Sequence, residues 1–315
     1  MASEARRAGG ASARSGRGTW FPRWFWPSFA MPATLWLLVL FVAPFYVIVS
    51  IAFGRIDPIF LTPVPVYDPL GWDASAFGNV ARQFATGGSI YQAALVHTLV
   101  FVAAATVLCL VIGYPVAYFI ARHAGRFRTA FIVAFVAPFW ISYMMRMLAW
   151  INLLQPDGYV NHALVGLGVV RGPVQWLNGR PITVILGLTY GYVPYMILPL
   201  FGTLDRISRS SLEAARDLGG GPVSTFVRVT LPLSRQAILA GVVIVTLPMF
   251  GDYYTTALLA STRNTSMIGT LIVSSMGSSL VQEGASLVLL LLVALIVPML
   301  YYLRATSRAT EVVAL

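Results

Sequence analysis

Residues 213–232 read EAARDLGGGPVSTFVRVTLP, a polar, glycine-rich stretch lying between two long apolar segments. A soluble core has no reason to hold such an insert there, whereas a membrane protein that passes mechanical work to a partner at its surface does. The composition agrees. With 58% hydrophobic and 10% charged residues among 315, and a mean hydropathy of +0.78, the chain carries more apolar surface than a soluble domain can bury. The expected fold class is an all-α polytopic membrane protein.

A bilayer core of about 30 Å takes roughly 20 apolar residues per helix. Six segments meet that length: 31–53, 93–121, 129–154, 181–203, 236–259 and 285–302. The first is too long for the apolar region of a secretory signal and is expected to remain as a transmembrane helix. Residues 1–30 read as a disordered basic tail followed by an aromatic interfacial elbow, and 31–304 as the membrane domain. Residues 305–315 read as a C-terminal tail. Residues 55–91 and 155–180, rich in Pro, Gly and Asp, are expected as external loops. The piece 261–282 is too polar to be assigned as a span.

All 21 basic side chains are arginines. A phosphate-binding loop of the G-x-x-x-x-G-K-[ST] type needs a lysine, so any ATP hydrolysis must belong to another polypeptide. The arginine distribution also sets the topology. Fifteen lie in the N-terminal tail, the 122–128 turn, the 205–235 stretch and the C-terminus, against five in the opposite loops. By the positive-inside rule, both termini and the 205–235 stretch face the cytoplasm, and no role in nucleic-acid binding is implied by the net charge of +10. Cys109 stands alone in an apolar run, and His97, His123 and His162 have no ligand spacing, so neither a metal nor a cofactor is expected.

Within the polar stretch, Ile207, Ser211, Ala214, Ala215 and Leu218 share one face of a 3.6-residue helix. Glu213 is spaced for local pairing with Arg209 and Arg216. Gly219, Gly220 and Gly221 must end the helix, Pro222 suits the first position of a second one, and Leu231-Pro232 breaks the chain again. The pattern E-A-A-x3-G-x9-[IV]-x-L-P is complete in Glu213, Ala214, Ala215, Gly219, Val229, Leu231 and Pro232. In this pattern, and in APFWISYMMRMLAW, YGYVPYMILPL and MFGDYYTTALL of the third, fourth and fifth spans, the chain resembles ABC importer permeases of the spermidine/putrescine type. The resemblance extends over about residues 31–304, without the long basic tail. It implies the type I importer architecture and a location in the bacterial inner membrane. The partners it implies are a second, homologous permease, a cytoplasmic ATPase dimer and a periplasmic substrate-binding protein. The seven motif residues would then dock the loop on the ATPase; on the residues alone, an amphipathic helix pair resting on the lipid surface is the other reading.

Arg146 lies within the third span and Asp252 within the fifth, each about 25 Å from the cytoplasmic side at 1.5 Å per residue. Charges at such depth face a bundle interior or a water-filled cavity. Three readings stand: an Arg146–Asp252 ion pair, Asp252 capping a helix restarted after Gly251, or Asp252 facing the path of a cationic substrate. Trp140, Tyr143, Trp150, Tyr190, Tyr192, Tyr195, Tyr253 and Tyr254 gather in the same segments. Their faces attract ammonium groups, although interfacial belts and bundle packing use the same residues. Arg146, Trp150, Tyr195, Asp252 and Tyr253 are the candidate path residues. The expected function is transport of a polyamine-like small cation, with no enzymatic step in this chain. An opine, an amino-acid derivative or a metal chelate as cargo, and a secondary transporter that needs no ATPase, are the alternatives. An enzyme is not indicated, since no nucleophile with a base and no carboxylate pair appears.

Overall fold

The computed structural model describes residues 24–313 apart from 58, 60, 61, 261 and 279, with side chains left aside at 26, 301, 303 and 305–313. The expected basic tail lies outside the described residues. As expected, the chain is helical almost throughout. Its helices are α1 (Phe25–Ala52), α2 (Ser75–Ala85), α3 (Ile90–Arg122), α4 (Arg128–Val136), α5 (Tyr143–Leu154), α6 (Tyr159–Gly166) and α7 (Pro181–Leu204). There follow α8 (Arg209–Asp217), α9 (Pro222–Thr225), α10 (Leu231–Leu233), α11 (Arg235–Phe250), α12 (Tyr254–Leu259), α13 (Ile268–Met276) and α14 (Val281–Val313).

Four helical stretches are each long and apolar enough to cross a membrane: Pro27–Ala52, Ile90–Arg122, Pro181–Leu204 and Val281–Leu300. Two bent pairs raise the number to six: Gly125–Trp140 with Tyr143–Gly166, bent by 91°, and Pro222–Leu233 with Arg235–Phe250, bent by 62°. The third span therefore differs from the single helix expected over 129–154. Pro138 occupies the first turn of a 3₁₀ segment, Ala137–Trp140, where its missing N–H has no partner to lose. The break comes at Ile141, whose backbone is extended at φ −85° and ψ 136°. The fifth span breaks at Gly251–Tyr253 and resumes in α12, while Pro248 is carried inside α11.

The chain divides into two compact units, one ending at Ile48 and one from Val49 to Leu315. In the first, α1 already begins at Phe25, so residues expected as an elbow are helical, and its apolar side chains from Leu35 to Val42 are exposed. At the other end of the chain, α14 continues as helix to Val313, through residues expected as a tail.

In the second unit α3, α7 and α11 form the core. Their contact is close because glycines stand where side chains would collide: a Cβ on Gly113 would lie 3.2 Å from the Met196 side chain, and one on Gly241 would lie 2.6 Å from its sulfur. This is the small-residue packing that lets helices approach in a membrane, where apolar burial alone gives no drive. Cys109 is buried here, its S–H donating to the Thr189 carbonyl at 3.6 Å. His97 stacks on Phe101, with Nδ1 3.3 Å from the Ser266 carbonyl. Tyr91 at the start of α3 donates to Glu283 at the start of α14 at 2.7 Å, and Arg122 at the end of α3 reaches Ile207 just past the end of α7. α3 and α14 therefore begin side by side, and α3 and α7 finish side by side.

The long loop after α1 is more ordered than its composition suggests. It holds a two-residue antiparallel pairing, Arg55 with Val64 and Ile56 with Pro63, and the helix α2. Asp57, Asp68 and Asp73 each accept a backbone amide two residues on. The Ser75 amide and hydroxyl hold the Asp73 carboxyl below the ordinary carboxylate range.

Candidate functional site

The 213–232 loop is built from local backbone chemistry. Ser208 caps α8, accepting from the Ser211 amide at 3.2 Å. The helix ends in a Schellman turn: the Gly219 amide donates to the Arg216 carbonyl at 2.8 Å and the Gly220 amide to the Ala215 carbonyl at 3.0 Å. Gly219 has φ +82°, the left-handed region, and a Cβ on Gly220 would lie 2.5 Å from the Ala215 oxygen. Pro222 opens the next helical segment, as expected. That segment runs through a π turn, Phe226–Thr230, and across Leu231-Pro232, so the break expected at those residues falls instead at Ser234.

Two features of the loop were not legible. Leu218, expected on the same face as Ala214 and Ala215, lies past the helix end and is 90% exposed, and Val223 across the glycine turn is 76% exposed. Glu213 is exposed, and among the described residues it pairs with neither Arg209 nor Arg216. Of the other motif residues, Ala215 and Val229 are half-buried, while Ala214, Gly219, Leu231 and Pro232 are exposed.

The loop is tied to the core helices behind it. Arg122 donates to the Ile207 carbonyl at 3.0 Å, and Arg128 forms an ion pair with Asp205. The Tyr114 hydroxyl meets Ser234 Oγ at 2.9 Å, and the Tyr114 and Tyr118 rings stand edge-on to Phe226 at 5.6 and 5.9 Å.

The start of α5 and the end of α11 meet α7 at an open cavity of about 490 Å³. It is lined chiefly by Tyr143, Arg146, Tyr192, Tyr195, Asp252, Tyr253 and Tyr254. Asp252 is buried, and its carboxylate accepts from four donors: the Thr255 amide at 3.0 Å, the Thr255 hydroxyl at 2.8 Å, the Tyr143 hydroxyl at 2.8 Å and the Tyr192 hydroxyl at 3.3 Å. It thus caps the restarted helix α12. Arg146 is also buried, yet it makes no ion pair with Asp252. Its guanidinium lies 4.4 Å over the Phe139 ring and 5.2 Å from the Tyr143 ring centre, with Nε and Nη1 lacking any acceptor.

Glycines again set the geometry. A Cβ on Gly191 would lie 2.6 Å from the Tyr143 ring, one on Gly187 2.6 Å from Leu259, and one on Gly269 2.8 Å from the carbonyl oxygens of Gly251 and Asp252. Of the aromatic set, Trp140 is 81% exposed and lies outside the lining, and Trp150 packs edge-on to Tyr190 at 5.3 Å, which takes both away from the cavity. Gly191 and Thr255 were missed; the signal available was the Gly187/Gly191 spacing, one helical turn of small residues facing a neighbour.

Comparison with known proteins speaks to family and fold. The signature of the family described as "Binding-protein-dependent transport system inner membrane component" matches residues 113–306. The spermidine/putrescine transport system permease protein PotB of Salmonella typhimurium LT2 is 33% identical over 230 residues, covering 73% of this chain and 75% of that protein. PotB of Escherichia coli K12 is 35% identical over 175 residues, 56% of this chain, and the match spans about 63% of that relative's length. A chain of a bacterial alginate ABC transporter, in complex with an alginate pentasaccharide-bound periplasmic protein, superposes with a TM-score of 0.71 over 91% of this chain and 96% of its own. At 17% identity it speaks for the fold alone. The chain belongs to the inner-membrane components of binding-protein-dependent transport systems.

Proposed function

We propose that this protein is a permease subunit of an ATP-binding-cassette importer, forming the path for a polyamine-like small cation across the bacterial inner membrane. The observation that carries the reading is the exposed turn of the 213–232 loop. Leu218 and Val223 present apolar side chains on either side of the hydrogen-bonded glycine turn, which suits a contact with another protein and not a solvated surface. ATP hydrolysis belongs to a cytoplasmic ATPase dimer, and first capture of the cargo to a periplasmic binding protein. A second, homologous permease completes the path. The arginine distribution supports a cytoplasmic loop and cytoplasmic termini. The spermidine/putrescine permeases among its relatives, and the tyrosine-lined cavity with Asp252, support an amine as cargo. ATP binding closes the ATPase dimer, draws the loops of the two permeases together and opens the path outward, and hydrolysis resets it.

The test is reconstitution of the full importer in vesicles with Glu213→Ala and Leu218→Ser. Both variants insert and fold normally but lose cargo-stimulated ATP hydrolysis and uptake. Normal uptake by both would sink the reading, and uptake by this chain with no ATPase present would favour a secondary transporter.

A further inference from the structure

Resting on the amine-importer reading, the hydrogen bonding around Asp252 bears on which amines the cavity takes. A carboxylate has about four lone-pair sites. Those of Asp252 are met by four protein donors, the Thr255 amide and hydroxyl and the Tyr143 and Tyr192 hydroxyls. Asp252 therefore brings negative charge to the cavity while its hydrogen-bonding capacity is taken up within the protein. The N–H groups of a cargo ammonium need other acceptors.

Two stand on the helices that wall the cavity. In an α-helix each carbonyl lies on the face of its own residue and accepts from the amide four residues on. Tyr195 of α7 and Ile244 of α11 line the cavity, and four residues on from them stand Pro199 and Pro248, each inside its helix. Proline has no N–H, so the carbonyls of Tyr195 and Ile244 lack the amide that would otherwise meet them. The same spacing pairs Tyr190 with Pro194, but Tyr190 packs against Trp150 and is not part of the lining. In interrupted membrane helices, backbone carbonyls of this kind coordinate cations.

We propose that the Tyr195 and Ile244 carbonyls accept from the ammonium group of the cargo, so that the cavity reads the number of N–H donors as well as the charge. The class of ligand that fits is a primary amine. Methylation of the nitrogen keeps the charge and the attraction of the tyrosine faces but removes donors.

Butane-1,4-diamine and its N,N,N′,N′-tetramethyl derivative test this, since they carry the same charge with three N–H groups against one at each end. ATP-dependent uptake is measured as kcat/KM in the reconstituted importer with one binding protein throughout, so a change between variants belongs to this chain. The wild type favours the unmethylated diamine. Pro199→Ala and Pro248→Ala each return an amide to the carbonyl four residues before, and alanine is the better helix former, so both variants fold. Each lowers the ratio of diamine to tetramethyl uptake by about tenfold, equal to about 1.4 kcal/mol. Uptake of the tetramethyl compound itself is kept, which shows that the variant has inserted; where that compound is too poor a cargo to measure, the N,N′-dimethyl derivative takes its place. A lowered ratio in either variant supports the carbonyl concerned. Equal kcat/KM for the two compounds in the wild type, or an unchanged ratio in both variants, overturns the proposal and leaves an amine importer standing. An equal fall for both compounds also overturns it, since the prolines then act as hinges alone. ATP-dependent uptake of other solutes but of no amine overturns the amine reading and this proposal with it.

Discussion

The 213–232 loop and the Asp252 cavity put their chemistry together in opposite ways. The loop is assembled from neighbours in sequence: a serine cap, a Schellman turn, a proline at the first position of the next helix. The cavity is assembled from three segments distant in sequence, around residues 139–146, 191–195 and 244–254, and depends on glycines that let them touch. One is an outward surface whose shape is encoded locally. The other is an inward space that exists only once the helices have packed.

The difference can be broken from either side. Gly219→Pro cannot adopt φ +82°, since proline is held near −65°. It should reduce uptake by about 100-fold or more, roughly 2.7 kcal/mol of coupling at about 1.4 kcal/mol per decade, in a protein that still inserts. If thermal stability falls in parallel with uptake, the loop is not the local unit described. Gly191→Ala acts on the other side. Its Cβ pushes on the Tyr143 ring, and overpacking of this kind costs about 1–3 kcal/mol, so unfolding in detergent should occur earlier while loop-dependent ATPase binding is kept.

Asp252→Asn keeps the shape and removes the charge. KM for an amine should rise by about tenfold with kcat little changed, the mark of lost uniform binding. Equal KM values in the two proteins would leave Asp252 as a helix cap alone. The smallest effect is expected for Tyr114→Phe, which removes the hydroxyl facing Ser234 and costs about 1 kcal/mol of stability, read in the same unfolding measurement.

The same contrast explains what was legible in the sequence. Helix existence, the first, second, fourth and sixth apolar segments and the glycine turn follow from composition and from near-neighbour spacing, and they appear in the structure close to where the pattern put them. Trp150 illustrates the limit. It sits four residues from Arg146 on the same helix, and nothing along the chain says that its ring turns to Tyr190 while Arg146 turns to Phe139. The 91° bend in the third span is hidden for a similar reason: Pro138 is visible, but the turn occurs three residues later, at an isoleucine with no breaking tendency of its own. Arg146 and Asp252 stood out as charges in apolar segments. That both line one space without pairing is a matter of tertiary geometry.

Arg122, Arg128, Tyr114 and Phe226 together bolt the loop to the end of α3, and α3 lies against α7 through Gly113 and Met196. The loop region is therefore held to the core helices by side chains as well as by the chain itself. Two of the helix breaks lie next to the cavity: Tyr143, just after Ile141–Ser142, lines it, and so do Gly251, Asp252 and Tyr253. The helix that α3 leans on, α7, also walls the cavity with Tyr192 and Tyr195, so loop and cavity share one packed set of helices.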